Sequence, residues 1–235
     1  MRVRKTTERE FYSALYQVVK QIREMVKRNY DLYQGDPNRL ILDLMAYART
    51  LEPTAQSMAL GMLEKVNQQD LKDWVRISEH LGQVFLSGFG RDPVLREVDR
   101  LQKEVTDLIV TIPQRMAAWV QQGVQKTLPQ GIRIEEYGRI IENATGLLPY
   151  QALRIARTET AKANTYIVKA RAQSIGANRY IWRTVGDQIV REVHRPLDGQ
   201  IFDWDNPPEI PHEGRHHPGD FPNCRCYPEP IITGL

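Results

Sequence analysis

Hydrophobic residues in the first 150 positions recur at helical spacing, with charged and amide side chains between them. The clearest stripe runs from Phe11 to Val26 and predicts one amphipathic helix. Turn-forming residues and prolines then divide the pattern into segments. Helices are predicted from about Thr6 to Asn29, from 37 to a limit at Glu52-Pro53, over roughly 54–67, and over 69–87 with Val84 and Phe85 buried and G-F-G at 88–90 as its end.

A second helical group begins at Asp92-Pro93, where an Asp cap followed by Pro favours a helix start. Apolar residues then alternate at spacings of four and three, which is typical of the buried stripe of a bundle helix. Pro113 is expected to kink or end this helix, and an apolar face continues to Leu128-Pro129. Two more helices are predicted, from Gly131 to Thr145 and from about Pro149 to Ile175, separated by G-L-L-P at 146–149.

The pattern changes to strands at Asn178. R-Y-I-W-R-T-V alternates aromatic or β-branched residues with polar ones and predicts a strand. A short helix capped by Asp187 is expected to end at His194, and Asp198-Gly199 suits the turn into a second strand, Q-I-F-D-W. The segment 205–223 is too rich in Pro, Gly and His for regular structure, and a final strand follows from Cys224.

These elements predict an α+β protein in two parts. Residues 1–148 form a mainly helical region, and residues 149–235 form a small α+β domain with a short antiparallel sheet. The hydrophobic fraction of 41% and the charged fraction of 26% are typical of an ordinary globular protein. No apolar run is long enough to cross a membrane, and the charged N-terminus lacks the pattern of a secretory signal, so synthesis in a cytoplasm is expected.

The net charge of +3 does not select a partner. Nucleic-acid-binding proteins usually concentrate basic residues on one face, whereas here basic and acidic residues are interspersed along the chain.

Cysteine and histidine gather at the end of the chain. Both cysteines, Cys224 and Cys226, and four of the five histidines lie after residue 190. A structural disulfide is not expected across one intervening residue in a reducing compartment, whereas two thiolates and two imidazoles can hold a tetrahedral zinc ion. His194, at the end of the predicted short helix, and His217, before Pro218-Gly219, are the preferred ligands, while His212 and His216 look solvated. Because C-x-C is a looser signal than C-x-x-C, two plain reduced thiols remain an equal alternative.

Catalytic motifs are absent from the sequence: it has no nucleophile elbow, phosphate-binding loop or H-E-x-x-H. Arg157 and Glu159 lie two apart on a helix and cannot face each other. Asp187, Arg191 and His194 fall on one face of the predicted short helix, which favours a structural ion-pair network over acid-base chemistry.

An ordered set of short segments resembles a known family. The segments are I-A-R-T-E-T-A at 155–161, W-R-T-V-G-D at 182–187, V-R-E-V-H at 190–194, L-D-G-Q-I-F at 197–202, H-P-G at 217–219 and N-C-R-C at 223–226. In this order, between about Leu153 and Tyr227, they resemble the phage Mu protein F-like minor head proteins of tailed bacteriophages. The resemblance also favours zinc as a structural clamp at His194, His217, Cys224 and Cys226.

The resemblance implies a virion protein of low copy number that acts in head morphogenesis and in genome delivery. The helical region would dock on the portal or the capsid interior, in several copies around the portal, after synthesis in the bacterial host. A major capsid or scaffold protein and DNA are further candidate partners, and no membrane is expected. The alternatives are an enzyme acting on nucleotides or nucleic acid through Arg157, Glu159 and His194, and a DNA-binding packaging factor.

Overall fold

The computed structural model of the protein describes residues 1–81, 91–127 and 134–232. Within these ranges the chain is mostly helical and ends in small antiparallel sheets, as the sequence predicts. The long helices are α1 (Lys5–Tyr33), α2 (Pro37–Leu81), α3 (Arg91–Thr127) and α4 (Ile134–Ser174). The predicted features at Val84, Phe85, 88–90, Leu128-Pro129 and Gly131 lie outside the described residues.

Three prolines that the sequence pattern marks as helix breaks or kinks lie inside continuous helices. Pro53 is within α2, Pro113 within α3 and Pro149 within α4. A proline inside a helix removes one hydrogen bond and costs about 3 kcal/mol. Each of these prolines has buried apolar neighbours along its own helix, such as Leu148 and Ala152 around Pro149. The predicted breaks at 53 and 149 are therefore wrong, because the burial on both sides outweighs the local penalty.

The helical stripes are buried as the periodicity predicts. Phe11, Leu15, Val18 and Ile22 of α1 are at most 3% exposed.

The chain divides into two compact units. One contains Met1–Glu10, Leu60–Lys103 and Ala156–Leu235, and the other contains Phe11–Ala59 and Glu104–Ile155. The predicted boundary between residues 148 and 149 falls inside α4, and the two-part division into 1–148 and 149–235 stays a prediction.

The sheet region follows α4. Strand β1 (Arg179–Arg183) is central and pairs antiparallel with β2 (Ile201–Asp203) and with β5 (Tyr227–Pro230). A 3-10 helix, Glu192–Leu197, lies between β1 and β2. The segment predicted to be irregular, 205–223, contains the short paired strands β3 (Glu209–Ile210) and β4 (Gly214–Arg215).

Aromatic side chains fill the core beneath this sheet. Trp182, Tyr180 and Trp204 are fully buried, together with Trp74 of α2. Cys224 and Cys226 belong to the same buried cluster. None of the helices within the described ranges is long and apolar enough to span a membrane.

A buried ion pair joins α2 to α4 in the same unit. The guanidinium of Arg171 contacts the carboxylate of Asp70 and donates a hydrogen bond to Asn67 Oδ1 at 2.8 Å. The Asp70 side chain is fully buried, and that burial raises its pKa to about 6 despite the opposing charge of Arg171. Asp70 therefore depends on Arg171 to remain ionised at neutral pH.

Replacing Arg171 by Met should leave the buried Asp70 carboxyl without its partner, so that it must take up a proton to stay buried. We expect Arg171→Met to lower the free energy of unfolding by about 3–5 kcal/mol, measured by urea denaturation. The double variant Asp70→Leu, Arg171→Met should recover most of this loss. Lys65→Met, which breaks an exposed pair with Glu10, is the matched control and should cost less than about 1 kcal/mol. Equal losses for Arg171→Met and Lys65→Met would contradict this interpretation.

Candidate metal centre

His194 points inward from the 3-10 helix. Its backbone N–H donates to Arg191 O at 3.0 Å, and its side chain is 1% exposed, with the ring edge-on to Trp182.

The turn that follows the 3-10 helix has Asp198 at φ −59°, ψ 125° and Gly199 at φ 81°, which is type II geometry and favours glycine at that position. The predicted turn at Asp198-Gly199 is confirmed. The predicted helix from Asp187 is wrong, because 187–190 form a turn and the helical residues begin at Glu192.

The C-x-C spacing places both thiols on one side of the chain. Residues 224–226 lead directly into β5, and in extended backbone the side chains at i and i+2 point the same way. Cys224 and Cys226 face the core at 3% and 4% exposure, while Arg225 points away and pairs with Asp187 at 2.6 Å. The two thiols therefore lie on the buried side of this segment, just before β5, and the arginine between them lies on the outer side.

The segment that carries the cysteines is held against α4. Asn223 N–H donates to Thr158 Oγ1 at 3.0 Å, and Thr165 Oγ1 donates to Pro218 O at 2.5 Å. Gly219, at φ 85°, lies so close to α4 that a Cβ would be 3.1 Å from Ala161 O. Glycine is needed here for both its backbone conformation and its small size.

His194, Cys224 and Cys226 form a buried group of three metal-binding side chains. His194 Nδ1 lies 3.5 Å from Cys224 Sγ and 3.6 Å from Cys226 Sγ. A zinc ion bound tetrahedrally, with Zn–S near 2.3 Å and Zn–N near 2.05 Å, holds nitrogen and sulfur about 3.5 Å apart. Both nitrogen–sulfur separations therefore already match those that zinc requires, and two sulfurs with an imidazole suit zinc.

The opposite edge of the His194 ring faces a carboxylate. Nε2 lies 2.7 Å from Glu213 Oε2, and His216 Nε2 lies 3.0 Å from the same oxygen. These three residues form a second candidate metal group. Nitrogen and oxygen ligands of a tetrahedral zinc ion are about 3.4 Å apart, however, whereas the observed distances are those of hydrogen bonds. The geometry favours a hydrogen-bond network on this side and a metal on the thiol side.

The pKa shifts of these residues agree with a metal site on the thiol side of His194 and a hydrogen-bond network on its Glu213 side. The pKa of Cys224 is lowered by its hydrogen bond with Cys226 and by its contact with His194, and the pKa of Cys226 is raised by the adjacent Cys224 and by burial. Burial alone would lower the pKa of His194, but contacts with Cys224 and Glu213 raise it. Burial would likewise raise the pKa of Glu213, but hydrogen bonds from His194, Arg191 and His216 lower it. Metal binding would therefore release protons from the thiol side.

The other histidines are arranged differently from the sequence prediction. His217 lies outside both groups: its Nδ1 lies 3.1 Å from Tyr180 OH, and it packs among Tyr166, Tyr180 and Trp204. His216, predicted to be solvated, is 7% exposed and stacks on Phe221, so that prediction is wrong. His212 is exposed, as predicted. The structure brings together three of the four predicted ligands and not His217.

The cavity that Arg157 lines does not include the other residues considered for catalysis. Arg157 pairs with Glu8 at 3.2 Å. It lines a cavity of about 50 Å³ with Cys224 and Cys226, but neither Glu159 nor His194 lines that cavity. Glu159 is 6% exposed. Asp187 and Arg191 do not share a helical face with His194.

Glu213 belongs to the candidate site but was not identified from the sequence. It stands between two histidines in a Gly- and Pro-rich stretch, and no motif marks it. Its side chain is only 7% exposed, and burial of a carboxylate in a loop is not visible from composition.

The fold and the candidate site together describe the class of protein. It is mostly helical, it ends in a small antiparallel sheet, and a buried His-Cys-Cys cluster lies in the sheet region. Residues 118–228 match the model of the family described as Phage Mu protein F like protein, so this part of the chain is similar to the phage Mu protein F-like proteins. The resemblance predicted from 153–227 is thereby confirmed.

A curated relative extends the similarity to nearly the whole chain. An uncharacterized protein of Haemophilus influenzae is 26% identical over 248 residues, covering 99% of this chain and 55% of the relative. The chain thus spans about half the length of that relative. No solved structure matches this chain.

Burial of His217 gives a pH dependence to stability. Burial lowers its pKa to about 4, whereas a histidine in the unfolded chain titrates near 6.5. Between these values the unfolded state binds more protons, so stability is complete above about pH 6.5 and is lost as the pH falls towards 4. With chelator present, we expect wild type to lose about 1–3 kcal/mol across this window and His217→Gln to lose less.

The measurement is urea denaturation at a series of pH values. His212→Gln, which removes an exposed histidine, is the control and should keep the wild-type profile. Parallel profiles for wild type and His217→Gln would show that His217 does not carry this dependence.

Proposed function

We propose that the protein is a minor head protein of a tailed bacteriophage. It would be present in few copies, associated with the portal and the capsid interior, and active in head assembly and genome delivery. The family match over 118–228 is the observation that carries this proposal. The segments that define the resemblance also form one structural unit, in which H-P-G and N-C-R-C pack on the I-A-R-T-E-T-A face of α4 through contacts such as Asn223 to Thr158.

In this proposal the Cys-His cluster is a structural zinc clamp. His194, Cys224 and Cys226 would hold the ion, and no other described residue joins this group. Zinc would supply folding free energy to a sheet of three strands, each at most five residues long, which has little core of its own. It would tie the 3-10 helix to the start of β5. We propose a structural rather than an enzymatic role, because the cavity lined by Arg157 includes neither Glu159 nor His194.

Purified particles test the virion role. The phage is grown, DNA-filled heads are isolated on a density gradient, and the chain is quantified against portal and major capsid protein by mass spectrometry. We expect a small number of copies per particle and co-purification with the portal protein after co-expression. Absence from DNA-filled heads, with the protein present in the infected cell, would overturn the proposed location.

Elemental analysis of the purified protein tests the clamp. We expect about one zinc ion per chain, lost in His194→Gln and in the double variant Cys224→Ser, Cys226→Ser, with lower thermal stability in both. His212→Gln replaces an exposed histidine in the same way and should keep its zinc. Metal-free wild-type protein, unchanged in stability on adding zinc, would end this part of the proposal without affecting the virion role.

A further inference from the structure

Glu213 is a charged side chain in an unusual place. It lies in the short connection between β3 and β4, yet its side chain is 7% exposed. A buried carboxylate is costly unless it is paired and hydrogen-bonded. The partners that offset this cost therefore indicate what the carboxylate does.

Three groups converge on the two oxygens of Glu213. Oε2 lies 2.7 Å from His194 Nε2 and 3.0 Å from His216 Nε2, and Oε1 contacts the guanidinium of Arg191. An ionised carboxylate only accepts hydrogen bonds, so the facing imidazole nitrogen of His194 must donate. The proton of the neutral His194 ring is then on Nε2, and the lone pair on Nδ1 faces Cys224 and Cys226.

Arg191 connects this carboxylate to the cysteine-bearing segment. Its other terminal nitrogen donates to Pro222 O at 2.9 Å, and its guanidinium lies 4.3 Å from the Phe221 ring centre. Phe221 O in turn accepts the backbone N–H of Cys224 at 2.9 Å. The orientation of His194 and the position of Cys224 are thus linked through Arg191 and Glu213.

The backbone conformation around Glu213 also orients its side chain. Its N–H donates to Ile210 O at 3.0 Å, and it is flanked by His212 at φ 65° and Gly214 at φ 77°. A non-glycine residue with positive φ costs about 1–3 kcal/mol and persists where the surroundings demand it. This tight turn directs the Glu213 side chain inward.

We propose that Glu213 is a positioning residue for the metal ligand His194. Its carboxylate accepts the Nε2–H hydrogen bond, selects the tautomer with a free Nδ1, and aims that nitrogen at the site between the two thiols. This inference rests on the proposed zinc site. Such a carboxylate behind a ligating histidine typically contributes 10- to 100-fold in metal affinity.

Zinc competition against a chromophoric chelator tests the role. Glu213→Gln keeps the size of the side chain and removes its charge, and it should weaken zinc binding about 10- to 100-fold. The matched control is Glu209→Gln, which removes an exposed carboxylate paired with Arg215 and should bind zinc as wild type does. A second readout is the ring 15N spectrum of zinc-loaded protein. In wild type His194 should show a metal on Nδ1 and a proton on Nε2, and Glu213→Gln should shift the Nε2 resonance.

The outcomes separate this inference from the metal proposal. Wild type that binds no zinc refutes the clamp and with it the role of Glu213. Wild type and Glu213→Gln that bind zinc equally tightly leave the clamp standing and overturn only the role of Glu213. If Glu213→Gln does not fold without metal, judged by circular dichroism, Glu213→Asp replaces it: weaker zinc binding than wild type supports the inference, and unchanged binding overturns it.

Discussion

The imidazole of His194 is the contact on which the C-terminal region depends. One ring edge faces two thiols and the other faces a carboxylate, so three segments that are far apart in the chain meet at a single side chain. The strands around it are two to five residues long and cannot enclose a large core. A polar network that satisfies both ring nitrogens therefore supplies much of the specificity of this region.

The same packing explains why the resemblance is an ordered set of short segments. Each segment contacts another across a long stretch of chain: Thr158 accepts from Asn223 N–H, Gly219 lies against Ala161 O, and Gly199 N–H donates to Trp182 O at 2.9 Å. None of these contacts is local. The packing of this region therefore depends on residues that lie far apart in the chain.

The long helices show where the burial of apolar side chains outweighs a local sequence preference. Proline is unfavourable in the interior of a helix, beyond the first turn, and the predictions at Pro53 and Pro149 follow that rule. The rule omits the apolar residues that each helix buries on both sides of the proline, such as Leu51 and Ala55. Several buried side chains, at roughly 1.5–3 kcal/mol each, outweigh a single lost hydrogen bond.

The sequence by itself determined the features that depend on near neighbours. Periodicity identified α1 and the central strand, and residue type alone located both cysteines and four of the five histidines at the end of the chain. The sequence also favoured His194 as a ligand, whereas only the tertiary structure buried His216 against Glu213 and placed His217 beside Tyr180. These residues lie in irregular backbone without a repeating side-chain direction. What each side chain faces is therefore decided by distant segments, α4 and β1 above all, and no local pattern records it.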